Sequence, residues 1–232
     1  IHWNYDRDEQ TFFAEGLSEY ASYVCGYGLR RPDGFLNDPS VTFLGWRFGD
    51  NTRVLDDYSR AALWTLYLGE RYGSNFIQKL TQNPAIGSSG FNLALVSVGI
   101  VSSFTATVRD FHIANYVQSR QVNSAYGYID TTVVRSKPKT YRNILGSTAQ
   151  GGRNGLSPLA ADYVRFFGPE TLMTMFNLSS GTASIKALQF TNTQTSTGDV
   201  QPGLLYQAFF PGSEPSEVVF VVHSNSEVNS TG

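Results

Sequence analysis

Charge is scarce in this chain. Only 16% of its 232 residues are Asp, Glu, Lys or Arg, against about 25% in an ordinary soluble protein. Ser, Thr, Asn, Gln and Gly must therefore supply the polar surface. The net charge is -2 and the longest basic run is Arg30-Arg31, which leaves nothing to track a phosphate backbone and excludes nucleic acid as an expected partner. Long apolar runs are lacking too: Val218 to Val222 is typical, far short of the ~18 residues of a membrane span. The single cysteine, Cys25, excludes an internal disulfide and a cysteine-rich zinc site. No Gly-x-Ser-x-Gly occurs, so the nucleophile elbow of a serine hydrolase is absent. Cys25 falls in the last turn of an expected helix, where the dipole disfavours a thiolate, and is read as core.

What is present divides the chain near residue 130 into 1–130 and 131–232. In the first part Phe12, Phe13, Leu17, Tyr20, Ala21 and Val24 follow the helical period, predicting a helix over 11–26 stopped by Gly26 and Gly28. Residues 31–57 read as a loop with a short strand at 41–48. A second helix is predicted over 56–72, capped by Asp56 or Asp57 and ended by Gly73. Further helices are expected from Ser74 to Asn83-Pro84, over 92–98 and over 103–118. In the second part, short strands are predicted at 131–134, 163–167, 172–177, 183–190, 204–210 and 218–223, with loops at 147–158 and 191–197. Their spacing argues for a small antiparallel β-sandwich, and the whole for an α+β fold.

The informative segment is Ala14-Glu15-Gly16-Leu17-Ser18-Glu19-Tyr20. Glu15 and Glu19 lie four apart on a helix and share a face, where like charges cost roughly 0.2–0.5 kcal/mol. A cation beside them would offset that cost, and a zinc ion held by one carboxylate, with the other orienting a ligand histidine, has this geometry. A solvated pair on an open helix face is the plain alternative. Asp50, Asn51, Asp56 and Asp57 surround a loop and suit either an oxygen-rich calcium site or helix capping and a turn. Gly151-Gly152-Arg153-Asn154-Gly155 lacks the Lys-Ser/Thr ending of a phosphate loop. Asp110 and His112, two apart on a helix, do not face one another.

Ile1-His2-Trp3-Asn4-Tyr5-Asp6 followed by Glu15-Gly16-Leu17-Ser18-Glu19-Tyr20-Ala21 resembles the stretch after the zinc motif of gluzincin metallopeptidases, especially secreted enzymes similar to immune inhibitor A and hyicolysin. In that family a His-Glu-x-x-His helix runs into an Ile-His-Trp-like segment, and an Asn-Glu-Gly-x-x-Glu helix supplies the third ligand; here Ala14 stands in place of Asn. Residues 58–73 are similar to the family's long helix ending in Tyr-Gly. Phe111-His112-Ile113-Ala114-Asn115-Tyr116 is similar to its Trp-x-x-Ala-Asn segment, with Phe111 for Trp.

The resemblance implies a secreted zinc endopeptidase acting on protein or peptide substrates, with Glu15 as metal ligand and Glu19 accepting the ring N–H of a ligand histidine. It implies water activated by zinc and a glutamate base, and a Tyr or His stabilising the oxyanion; Tyr5, His112, Tyr126 and Tyr128 are the candidates. No His-Glu-x-x-His occurs in these 232 residues. The expectation is that the missing helix precedes Ile1 in a longer polypeptide, consistent with a first residue other than Met. His2 is a substitute ligand at most, and more naturally a hydrogen-bonded structural residue.

Two other readings stand beside this one. One is a structural or adhesive surface or filament protein that keeps a peptidase-like scaffold; the other, on aromatic content alone, is a carbohydrate-binding module. Composition leans towards an extracellular or cell-surface location, where the sequons at Asn177 and Asn229 would accept glycans.

Overall fold

The computed structural model describes residues 6–133, 136–145, 155–168, 171–178, 181–191, 194–209 and 217–227. The chain forms two compact units: residues 1–38 with 44–137, and residues 39–43 with 138–232. The first is helical, the second built of strands, so the α+β class holds.

The helical unit contains α1 (Thr11–Ser22), a π-helical turn at Tyr23–Tyr27, α2 (Asp33–Leu36), α3 (Arg53–Gln82), α4 (Gly87–Ser97) and α5 (Phe104–Val117). Helix α3 is the axis: from Asp57 to Leu68 all residues except Tyr58 are buried. Trp64 lies at its centre, with ring centroids 5.3 Å from Phe111, 5.8 Å from Phe91 and 5.9 Å from Phe104. Such offset and edge-on aromatic pairs add to what their burial contributes. Gly16 is where α1 meets α3, for a Cβ there would stand 2.5 Å from Thr65 Oγ1 and 2.9 Å from the Ala61 carbonyl oxygen. Only glycine permits that approach.

Helix boundaries shift from expectation for identifiable reasons. Helix α3 begins at Arg53, not at Asp56 or Asp57, because Asp50 Oδ1 accepts from the amides of Thr52 (3.2 Å) and Arg53 (3.0 Å). Asp57 is instead buried against arginines. Gly73, at φ +83°, breaks α3 at the expected C-cap, and the helix expected from Ser74 follows and runs to Gln82 before Asn83-Pro84, as expected. The expected helix over 11–26 is α-helical only to Ser22. The buried face of α1 ends at Leu17, and Ala21, one turn on, is already exposed; Cys25, in the π turn beyond, is exposed as well, and the core assignment is corrected. Residues 41–48 form turns, not a strand, around a buried Phe43.

In the second unit, β1 (Arg142–Leu145), β2 (Ala161–Phe167), β4 (Ala183–Phe190), β5 (Thr195–Val200) and β7 (Glu217–Ser224) form one sheet in the order β1-β2-β7-β4-β5; β3 (Thr171–Met175) and β6 (Leu205–Phe209) form a two-stranded ribbon. The central strand β7 carries Val218-Val219-Phe220-Val221, all buried, the continuous apolar run of a strand covered on both faces. Phe220, Phe166, Ile185, Ala187, Val200 and Val218 share a core with Leu172 and Ala208 of the ribbon.

The five-stranded sheet is mixed rather than purely antiparallel: β1 pairs parallel with β2, Arg142 opposite Val164. Parallel neighbours need a long return, and the chain between Leu145 and Ala161 is long enough to provide it. Strand β5 arises where a polar loop was expected, since an edge strand needs little apolar content and Ser196 to Asp199 are exposed. The strand expected at 131–134 is a turn at 131–133; Val134 lies outside the described residues.

Candidate functional site

Glu15 and Glu19 project from α1 as half-buried side chains. The cation beside Glu19 is Arg30, whose Nη2 and Nε donate to Glu19 Oε1 at 2.9 and 3.0 Å. The same guanidinium lies 5.0 Å from the centre of the Tyr58 ring, a cation–π distance. Trp46 meets that ring edge-on at 4.8 Å. Tyr58 faces Glu15: burial pushes its hydroxyl pKa up, and the Glu15 carboxylate pushes it further. The acidic couple, an arginine and two aromatic rings thus form one cluster.

Arginine 30 also opens onto a second feature, a cavity of about 440 Å3 within the helical unit, walled by Tyr23, Gly28, Arg30, Arg31, Asp130 and neighbours. The π turn and the following glycine shape one side, with Gly26 at φ +88° and Gly28 at φ +83°. Within this cavity wall the Tyr23 hydroxyl donates to Asp130 Oδ2 at 2.9 Å. Burial and then this carboxylate push Tyr23 up to about 12. Bonds from the Thr132 side chain and from Tyr23 hold Asp130 below the usual carboxylate range. Behind it Glu70 accepts from the amides of Ile129 and Asp130 at 2.7 and 2.8 Å.

The other expected residues are placed elsewhere. His112 is fully buried beside Phe35 and Phe111, with ring centroids 6.4 and 5.7 Å away. Tyr126 and Tyr128 are buried, the latter donating to Asn115 Oδ1. Asp110 pairs with Arg71 at 2.9 Å. Of the loop acids, Asp50 caps α3. Asp57 accepts from Arg60 at 2.9 Å and from Arg47 at 2.7 Å. Among the described residues no three His, Cys, Asp or Glu side chains are grouped to hold a metal. Asn177 is exposed after β3. His2, Tyr5, Asn229 and the 151–154 stretch lie outside the described residues.

Arg30, Tyr58 and Asp130 were not singled out from sequence as site residues. Arg30 has one sequence signal, as half of the only adjacent basic pair; Tyr58 looks like any inward residue of α3; Asp130 follows no motif. No family model and no curated protein matches the chain.

Proposed function

We propose that the helical unit belongs to a secreted zinc endopeptidase of gluzincin type and presents the third metal ligand, Glu15. The supporting observation is the cluster on α1: two carboxylates one turn apart, with Tyr58 against the first and Arg30 clamped on one oxygen of the second. Both Arg30 bonds go to Glu19 Oε1, which leaves Oε2 to accept the ring N–H of a ligand histidine, the usual outer partner of such a ligand. Catalytic zinc takes three protein ligands, so these residues do not hold it alone. Two imidazoles and a glutamate base would come from a segment outside this sequence.

Zinc, when bound there, would polarise the carbonyl of a peptide substrate. Tyr58 directs its one hydroxyl proton at the Glu15 carboxylate; with that carboxylate engaged by a metal, the hydroxyl would be released to donate a hydrogen bond to the carbonyl oxygen as it gains charge. Trp46 and Arg30 fix its ring from the edge and the face. The strand-built unit is proposed as the trailing β-sandwich, and the protein as extracellular or surface-exposed. Metal analysis and a peptidase assay on the intact parent polypeptide test this. Glu15→Gln is expected to abolish zinc content and hydrolysis together, and Glu19→Gln to weaken zinc binding about 10–100-fold. Unchanged zinc and activity in Glu15→Gln refute the assignment.

One observation favours a second reading, a non-catalytic surface protein on an inherited scaffold: Arg30 by itself offsets the charge of Glu19. Under that reading the parent polypeptide carries no zinc at all.

A further inference from the structure

The cavity beside Arg30 has no part in the chemistry proposed above, yet it opens one residue away from it. Its volume, about 440 Å3, lies within the range of small-ligand sites, about 300–1,000 Å3. A short π-helical segment forms part of its wall, a device that recurs at functional sites. Its charges decide what it can hold. Arg30 is bound to Glu19, and Arg31 to Asp33 at 3.1 Å, so each lining arginine already has its own carboxylate. Asp33 also accepts from the Ser136 hydroxyl at 2.9 Å.

Asp130 is different. Its donors are neutral: the Tyr23 hydroxyl, the Thr132 hydroxyl at 2.6 Å and the Thr132 amide at 3.0 Å. Glu70 behind it is held by backbone amides. Among the described residues neither carboxylate has an ion pair with a cation. Among the described residues Asp130 is therefore the one carboxylate of the cavity wall without a cationic partner, and the complement of such a group is a cation.

We propose that this cavity is a subsite for a positively charged side chain, lysine or arginine, of a peptide, with Asp130 as the group that recognises it. The identification of the ligand as a substrate side chain rests on the peptidase reading; the preference for a cation does not. Arg30 joins the two features, since the guanidinium that wraps Glu19 also walls the cavity. A side chain seated there would bring its peptide alongside Glu15 and Tyr58.

The test is a titration of the 232-residue chain, followed by NMR or calorimetry, with N-acetyl-arginine amide, N-acetyl-norleucine amide and N-acetyl-glutamate amide. A hydrogen bond to a charged partner is worth about tenfold or more, so the arginine derivative is expected to bind at least about tenfold tighter than the norleucine one. Asp130→Asn should remove that margin, while Glu15→Gln should keep it. Because Asp130→Asn also disturbs the turn at Thr132, Tyr23→Phe is the second variant; it frees an Asp130 lone pair and should preserve the arginine preference. Equal binding of all three probes, tighter binding of the glutamate derivative, or an undiminished margin in Asp130→Asn each overturn the proposal. No zinc enters these measurements, so their failure is distinct from a failure of the ligand role of Glu15.

Discussion

Asp57 offers the sharpest test of how the helical unit holds Tyr58 in place. Its side chain is 1% exposed and so is that of Arg60. Oδ1 accepts from Arg60 Nη1 at 2.9 Å and Arg47 Nη2 at 2.7 Å, and Oδ2 accepts from the Arg47 amide at 2.8 Å. Arg60 otherwise reaches the Gly45 carbonyl and the face of Phe12, 5.6 Å away. Burial already pulls its pKa down to about 10 against the support of Asp57. Truncation by Asp57→Ala would leave a guanidinium buried with one oxygen partner, and breaking a buried pair from one side costs about 3–5 kcal/mol.

Urea unfolding followed by helical circular dichroism measures this loss. The double variant Asp57→Leu with Arg60→Met should recover much of it, because removing both charges lifts the desolvation penalty along with the attraction. A cost below about 1 kcal/mol for Asp57→Ala, the range of an exposed pair, would refute the view that this buried network holds Tyr58 and its part of α3 in place. Tyr58 follows Asp57 directly, so the variant should also perturb the Tyr58 environment seen by aromatic NMR shifts.

Gly16→Ala should destabilise the helical unit by about 1–3 kcal/mol, the usual cost of overpacking, since the Ala61 carbonyl is backbone that cannot swing aside; a thermal melt equal to wild type would contradict the close approach of α1 to α3. Glu9 is half-buried, and burial raises its carboxyl above the ordinary 4.5 despite amide bonds from Gly87 and Gln10. With its folded pKa above the unfolded one, the protonated form supports the fold below about pH 4.5, and that support is lost as pH rises through the folded value. Glu9→Gln should therefore match wild type at pH 4 and exceed it at pH 7 in a denaturation series; the reverse order would refute the sign.

The long helices are readable because period and punctuation agree; α2, four residues within the stretch read as a loop, is too short to show a period. Ser103 caps α5 through its side chain on the Ala106 amide, and Gly73 breaks α3 at a position a sequence reader would mark. Strand β7 announces itself by an unbroken apolar run. Strand β5 does not, because Thr195 to Val200 sit at an edge where side chains face water, and pairing with β4 supplies the order instead. The same divide runs through the candidate site. Glu15 and Glu19 stand out because four-residue spacing is local information. Arg30, Tyr58 and Asp130 reach the site through a turn, a neighbouring helix and a segment a hundred residues downstream, and no local pattern records such meetings. The Cys25 correction has a similar cause: the apolar period runs on past Leu17, but among the described residues no other element covers that end of the helix, and Ala21, Val24 and Cys25 are all exposed.

The path of the chain between its two units carries an architectural lesson. It leaves the helical part after Asp38, threads 39–43 through the strand-built part, returns at Leu44 and crosses finally after Lys137. Phe43, with no exposed surface, bonds through its amide to the Pro158 carbonyl. The two units consequently do not correspond to a single cut in the sequence. A clone stopped at 137 would carry a bared aromatic in mid-chain, and one begun at 138 would lack a plug, so separate production of either half calls for grafting that short loop, not for a simple cut.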